Sequence, residues 1–288
     1  MTDCPLSEAT VPEGDVPLRA LLRPGTALAV ITGVEGTSYR PVGAVMAIGP
    51  KGRRAGNLSS GCIDEDVALH ALRAMQDGQE RRLRYGAGSP FVDLALPCGG
   101  GLDILILPHP DRDALAAAQD RLEARDTAVL SLPGLTLHIL PELRFLIFGK
   151  GPEAATFADL VNLAGFRAEL FTPEAMDVPS GVPAVPLLSP RWPEKVAIDA
   201  RTAVTLFFHD HEWEPPLLAH ALASPALYVG AQGSFRARMA RRAALEGAGV
   251  SAERIDRLAD PFGLIPSARD PRTLAVAVLA DVLAKARL

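Results

Sequence analysis

Apolar positions group into short runs along the first third of the chain: "ALAVITG" from Ala27, "AVMAIG" from Ala44 and "LDILILP" from Leu102, each broken by glycine or proline. Runs of that length bounded by turn residues read as strands. One stretch follows a different period. In "IDEDVALHALRAMQDG" the apolar Val67, Leu69, Ala71, Leu72 and Met75 fall at helical spacing, behind acids at Asp64 to Asp66 and ahead of Gly78. Acids suit a helix's positive start and glycine its stop, so a helix is predicted, with Cys62 at its N-terminal end. A second helical stretch, Asp113 to Ala124, precedes two apolar runs, "AVLSL" and "LTLHIL", split by Pro133-Gly134.

At Pro141 the texture changes. "RFLIFGKG", "AATFADLVNLAG", "RAELF", "AVTLFFHD", "PLLAHAL", "ALYVGAQGS" and "FRARMARRAALEG" alternate strand-like and helix-like patterns, and a helix from Thr273 to Arg287 closes the chain. Such alternation favours a doubly wound parallel sheet. The expectation is an α/β protein: a mixed α+β domain over residues 1–141 followed by a Rossmann-like domain over 142–288. The proline-rich stretch from Val178 to Pro193 is expected to hold one short strand or to form a surface loop.

Composition narrows the function classes. With 288 residues, 48% of them apolar, the chain can bury one large or two ordinary cores. A formal charge of -5 offers no global positive field for a nucleic-acid backbone. The N-terminus lacks a basic segment followed by an apolar one, and no apolar stretch approaches the ~20 residues of a membrane span. A soluble cytoplasmic protein is expected. Cys4, Cys62 and Cys98 are odd in number and widely spaced, which suits reduced thiols rather than a disulfide framework or a zinc pair.

Several constellations could carry chemistry. "FLIFGKGPEA" runs a buried-type strand into Gly149-Lys150-Gly151-Pro152-Glu153-Ala154, a G-x-G-x-x-A turn whose glycines let backbone N–H groups approach a phosphate at a helix start. The following strand ends on Thr172-Pro173 rather than on the acid that would hold a ribose diol, which counts against ordinary nicotinamide use. "YVGAQGSFRARMARR" is a second strand-turn-helix unit. Gly230 and Gly233 free the turn, Ser234 can cap the helix, and Arg236 stands close enough to complete an anion cradle. Arg241 and Arg242 read equally well as a solvated face. "FFHDHEWE" puts His209, Asp210 and His211 at the carboxyl end of a strand, where open parallel sheets bind ligands. No third metal ligand accompanies the two histidines, so they read as lining groups.

Cys98 precedes Gly99 and Gly100, and Cys62 precedes a helix; either thiol could be a ligand group or a small packed residue. In "VEGTSYRPVGAVMA", Gly36, Thr37, Ser38 and Tyr39 offer donors and Arg40-Pro41 would form a rigid turn before the strand "AVMAIG"; the stretch reads equally as a hairpin loop.

Together these motifs resemble the XdhC/CoxI (CoxF) family, maturation proteins of xanthine dehydrogenase and related molybdenum hydroxylases. "GVEGTSYRPVGAVM", "GNLSSGCIDEDV" and "CGGGLDILILP" are similar to its N-terminal motifs. "LRFLIFGKGPEA", "FHDHEWE", "YVGAQGSFRAR" and "RLADPFGLIPSARDPRTLAVAVLADVLA" are similar to its C-terminal ones. The resemblance implies a homodimeric molybdenum cofactor (molybdopterin) chaperone, not a catalyst. Its implied partners are a cysteine desulfurase and a xanthine dehydrogenase-like molybdenum hydroxylase, with neither nucleic acid nor membrane involved. It implies cofactor contacts at Arg40, Cys62, Cys98, Gly99, Gly100, Gly149, Gly151, His209, Asp210, His211, Gly230, Gly233, Ser234 and Arg236, with Cys62 or Cys98 near the metal. Ser60, Asp64, Pro152 and Thr172 depart from the family pattern. Two rivals remain: an NAD(P)-dependent oxidoreductase using the G-x-G-x-x-A turn, and a maturation scaffold that binds no ligand.

Overall fold

The computed structural model describes residues 7–61, 63–87, 89, 99–174, 178, 181–209 and 212–286. Cys62, Cys98, Asp210 and His211 therefore lie outside the described residues. The backbone forms two compact units that meet in sequence at Pro141 and Glu142.

In the first unit the strands are β1 (Ser7–Pro12), β2 (Ala27–Glu35), β3 (Val45–Ile48), β4 (Arg54–Gly56), β5 (Arg81–Gly86), β6 (Gly101–Leu107), β7 (Ala128–Leu132) and β8 (Leu135–Leu140). The helices are α1 (Leu18–Leu21), α2 (Asp64–Asp77) and α3 (Arg112–Glu123). An antiparallel sheet runs β4-β3-β2-β6-β5, and a smaller one β1-β8-β7. The continuous apolar run of β2 is explained by burial on both sides. Ala27, Ala29 and Ile31 join a core under α2, while Leu28 and Val30 join a second core shared with α1, α3 and the small sheet.

Helix starts are set by side chains. Asp111 accepts from the N–H groups of Asp113 and Ala114, so α3 begins one residue before the predicted Asp113. Three strands escaped the sequence reading. β1 pairs in parallel with β8, from Ser7 opposite Leu135 to Pro12 opposite Leu140. β4 has only three residues, and β5 is the arginine-rich "RRLRYG" at the other edge of the sheet.

The second unit contains strands β9 (Arg144–Gly149), β10 (Arg167–Thr172), β11 (Ala184–Pro186), β12 (Thr202–Phe207) and β13 (Tyr228–Ala231). Its helices are α4 (Gly151–Leu163), α5 (Glu214–Leu222), α6 (Phe235–Gly247), α7 (Ala252–Ile255) and α8 (Pro271–Lys285). The strands form one parallel sheet ordered β11-β10-β9-β12-β13. Every residue of β9 and β12 is buried, because helices cover both faces. Phe145 and Ile147 pack towards α4 and α8, whereas Leu146 and Phe148 pack towards α5. The doubly wound reading thus holds, with the strand order reversing across β9 and β12. α8 starts at Pro271 rather than Thr273 because Asp270 caps it, accepting from the N–H groups of Arg272 and Thr273.

No described helix is long and apolar enough to cross a membrane.

Candidate functional site

In the first unit the motif loops leave the five-stranded sheet at one end. Glu35 at the end of β2 pairs with Gly101 at the start of β6, and Gly86 at the end of β5 pairs with Gly101 on the other side. The loop after β4 leaves from the same end, since Gly56 opposes Met46 near the start of β3. Gly36 to Gly43, Gly61 and Gly99 thus belong to segments that share one end of this sheet.

That end is braced by polar contacts. Asp64 Oδ1 accepts from the Leu58 N–H at 3.2 Å and the Ser59 hydroxyl at 2.9 Å. Ser59 Oγ in turn accepts from the N–H groups of Gly61 and Ile63. Asp64, one of the departures from the family pattern, therefore holds the segment on both sides of Cys62 against the start of α2. Farther along α2, Asp66 accepts from the Tyr85 hydroxyl at 2.6 Å. Burial, then that bond and the Asp66 charge, push the phenol far above its ordinary range.

Gly100 is required by packing: a Cβ there would sit 2.4 Å from the Thr37 carbonyl oxygen and 2.8 Å from that of Glu35. Arg84 ties the same region together, bonding Glu35, Asp103 at 2.8 Å and the Ala87 carbonyl. Gly99, at φ +70° with open space beside it, turns the chain directly after Cys98. Arg40 is paired with Asp15 at 2.7 Å, so its charge is largely spent inside the unit.

In the second unit two glycine turns face the carboxyl ends of the parallel strands. The first follows β9. A Cβ on Gly149 would lie 2.6 Å from the Phe207 carbonyl oxygen, so this glycine lets β9 and β12 pack. Gly151 has φ +78°, and its missing Cβ would lie 3.4 Å from Glu153 Oε2. The Glu153 carboxylate thus lies over the start of α4, where an incoming phosphate would rest, and Pro152 removes one N–H donor. His209 Nε2 stands 3.7 Å from Glu153 Oε1, and Lys150 Nζ stands 3.7 Å from Glu174 Oε1. Glu174 lies two residues beyond Thr172, after the end of β10, and its N–H donates to the Thr172 hydroxyl at 3.3 Å.

The second turn follows β13 and opens on a cleft of ≈ 610 Å³ whose lining includes His209, Gly233, Ser234, Arg238, Phe262 and Arg269. Ser234 Oγ accepts from the Ala237 N–H at 3.3 Å and caps α6. Arg236 is exposed, whereas Arg238, one turn of helix from Ser234, reaches the cleft and pairs with Asp260. Arg269 joins no ion pair among the described residues. Gly230 serves packing, since a Cβ there would strike the Phe262 ring at 2.6 Å.

Arg241, readable in sequence as solvated, is buried instead. It makes a two-pronged bond to Glu214, at 2.9 and 3.1 Å, and donates to the carbonyls of Ala231 and Gln232. It is the brace beneath the turn. Asp281 on α8 braces the opposite wall, accepting from the Tyr228 hydroxyl at 2.8 Å and the Gly263 N–H at 3.4 Å. Neither was foreseen in the sequence. No cluster of three metal-ligating side chains occurs among the described residues.

The sequence has relatives with the same arrangement of segments. Residues 145–282 match the XdhC Rossmann domain, and residues 23–86 match the XdhC and CoxI family. The molybdenum cofactor insertion chaperone PaoD of Escherichia coli (strain K12) is 33% identical over 279 residues, which cover 90% of this chain and 82% of that protein. The chain belongs to the XdhC and CoxI family. A more distant relative, described as a probable xanthine dehydrogenase subunit of Bacillus subtilis (strain 168), is 25% identical over 89% of this chain and 92% of its own length. A solved structure described as a xanthine dehydrogenase from Bacillus halodurans shares the fold, with a TM-score of 0.75 at 22% identity over 93% of this chain and 94% of that one. The XdhC and CoxI match spans the braced segments around residue 62, and the XdhC Rossmann match spans both glycine turns and the cleft.

Proposed function

We propose that this protein is a molybdenum cofactor chaperone that holds the cofactor as cargo, protects it and inserts it into a xanthine dehydrogenase-type molybdenum hydroxylase. The observation that carries the reading is the similarity, along most of both chains, to a relative named for that task. The second unit supplies a fitting receptor for the cargo's phosphate end. Its cleft offers the capped start of α6, the Gly233 backbone and the charge of Arg269, which joins no ion pair among the described residues. The first unit supplies the braced segments that flank Cys62 and Cys98, thiols whose softness suits molybdenum or a transferred sulfur.

On this reading the boundary at Pro141 separates two domains, 1–141 and 142–288. The protein does no net chemistry and works as a cytoplasmic homodimer that meets a cysteine desulfurase before its client. The rival nicotinamide reading is disfavoured by the first turn, where Glu153 places a negative charge over Gly151.

The test is retention. Purified protein is incubated with molybdenum cofactor and, separately, with NADH or NADPH, and bound ligand is measured by fluorescence and mass spectrometry. Stoichiometric retention of the cofactor alone is expected; retention of the nicotinamide nucleotide alone sinks the proposal. Cys62→Ala and Cys98→Ala should each reduce cofactor retention or sulfur transfer, and two unaffected variants would make the thiols structural.

A further inference from the structure

At the other end of the five-stranded sheet of the first unit, away from the motif loops, a cavity of ≈ 250 Å³ opens where the chain enters β2 and turns from β3 to β4. Arg23, Arg53 and Arg54 line it. None of the three joins an ion pair among the described residues, although the protein as a whole is acidic. Thr26 also lines the cavity, is only 4% exposed, and its hydroxyl has no hydrogen-bond partner among the described residues.

The walls are held in place. Gly49 N–H donates to the Arg53 carbonyl at 2.8 Å and Gly52 N–H to the Gly49 carbonyl at 3.1 Å, closing the turn that presents Arg53 and Arg54. The Arg112 guanidinium donates to the Leu22 carbonyl at 3.1 Å and to the Arg23 carbonyl, pinning the opposite wall. Arg112 thus adds a positive charge near the cavity. One acid, Asp113 on α3, lines the adjoining pocket but not this cavity.

Three guanidinium groups gathered without a counter-ion among the described residues repel one another, and the unpaired Thr26 hydroxyl lines the same cavity. A polyvalent oxyanion relieves that repulsion, because guanidinium forks and a hydroxyl donor match its geometry. We propose that this cavity binds a phosphate group, held by Arg23, Arg53 and Arg54 with the Thr26 hydroxyl donating to it. The site is separate from the cleft of the second unit and does not depend on the cofactor reading. Free phosphate and a phosphate monoester share the chemistry, and the cavity leaves room for either.

The experiment is isothermal titration of the full chain at low salt with inorganic phosphate and, separately, with ribose 5-phosphate. Saturable binding of inorganic phosphate alone marks a free-ion site, and binding of the ester as well marks a monoester site. Either supports the proposal if the Arg23→Ala/Arg54→Ala pair weakens that binding at least tenfold while Arg23→Lys/Arg54→Lys keeps most of it. Arg269→Ala, which alters the cleft of the second unit, should leave this class of site in place. Thr26→Val provides an independent variant should the alanine pair fail to fold, and a several-fold loss is expected from it. No saturable binding, or an isotherm that neither the alanine pair nor Thr26→Val changes, overturns the proposal.

Discussion

After β9 the chain turns through Gly149-Lys150-Gly151 into α4; after β13 it turns through Gln232-Gly233-Ser234 into α6. Both are strand-glycine-helix turns at the carboxyl ends of parallel strands, and both invite an anion in sequence. Their surroundings differ. Over the first lies the protein's own Glu153 carboxylate, flanked by His209. Beneath the second lies the buried Arg241–Glu214 pair, which grips the carbonyls of Ala231 and Gln232 and leaves the start of α6 facing the cleft. A glycine motif therefore specifies a backbone shape, and the charge folded against it sets what electrostatic surface that shape presents.

Breaking the brace gives the largest expected effect. Glu214→Ala leaves Arg241 buried without its counter-charge and should cost about 3–5 kcal/mol of stability, measured by urea unfolding. A loss below about 1 kcal/mol would show that the pair does not hold the turn. The joint replacement Glu214→Leu/Arg241→Met should recover most of the stability yet leave cofactor retention impaired, since the two carbonyls lose their donor.

Intermediate effects come from exchanging what the two turns present. Ser234→Ala removes the cap of α6 and should cost about 1 kcal/mol, with weaker cofactor retention. Glu153→Gln should leave cofactor retention within twofold of the parent. A large loss from Glu153→Gln with none from Ser234→Ala would reverse the assignment of the two turns.

The smallest effect concerns α5, which carries Glu214 at its start. His220 near its end stacks on Trp192 at 4.7 Å between ring centres, and burial lowers its pKa below the usual 6.5. The unfolded chain therefore takes up the proton first, so stability is full above about pH 6.5 and falls as acidification proceeds below it. Thermal midpoints read from pH 7.5 to pH 5 should fall less for His220→Phe than for the parent. An equal fall in both would remove His220 from the account.

Much of the fold could be read from local pattern because it is set locally. β2, β3, β6 and the alternating strands and helices after Pro141 carry runs whose period declares them. β1 was missed because "SEATVP" has little apolar pattern of its own; its pairing with β8 comes from a distant segment. β5 was missed because an edge strand tolerates arginines at 81, 82 and 84, which hide its alternation.

The candidate residues were legible as types, and their states were not. Arg40 meets Asp15 and Arg241 meets Glu214 only after folding, and Asp64 reads as a helix-start acid until Ser59 and Leu58 are brought to it. Arg238 reaches the cleft where the sequence suggested Arg236, because the helix begins at Phe235 and sets which arginine points inward.

The pairing of β1 with β8 also governs how the first unit comes into being. Val11, fully buried, has no sheet partner until Ile139 has been synthesised. Nearly the whole unit must leave the ribosome before its first strand can dock, and such a non-local contact closes late and slowly. The N-terminal strand thus acts as a completion latch, engaged only when the chain has reached the threshold of its second half.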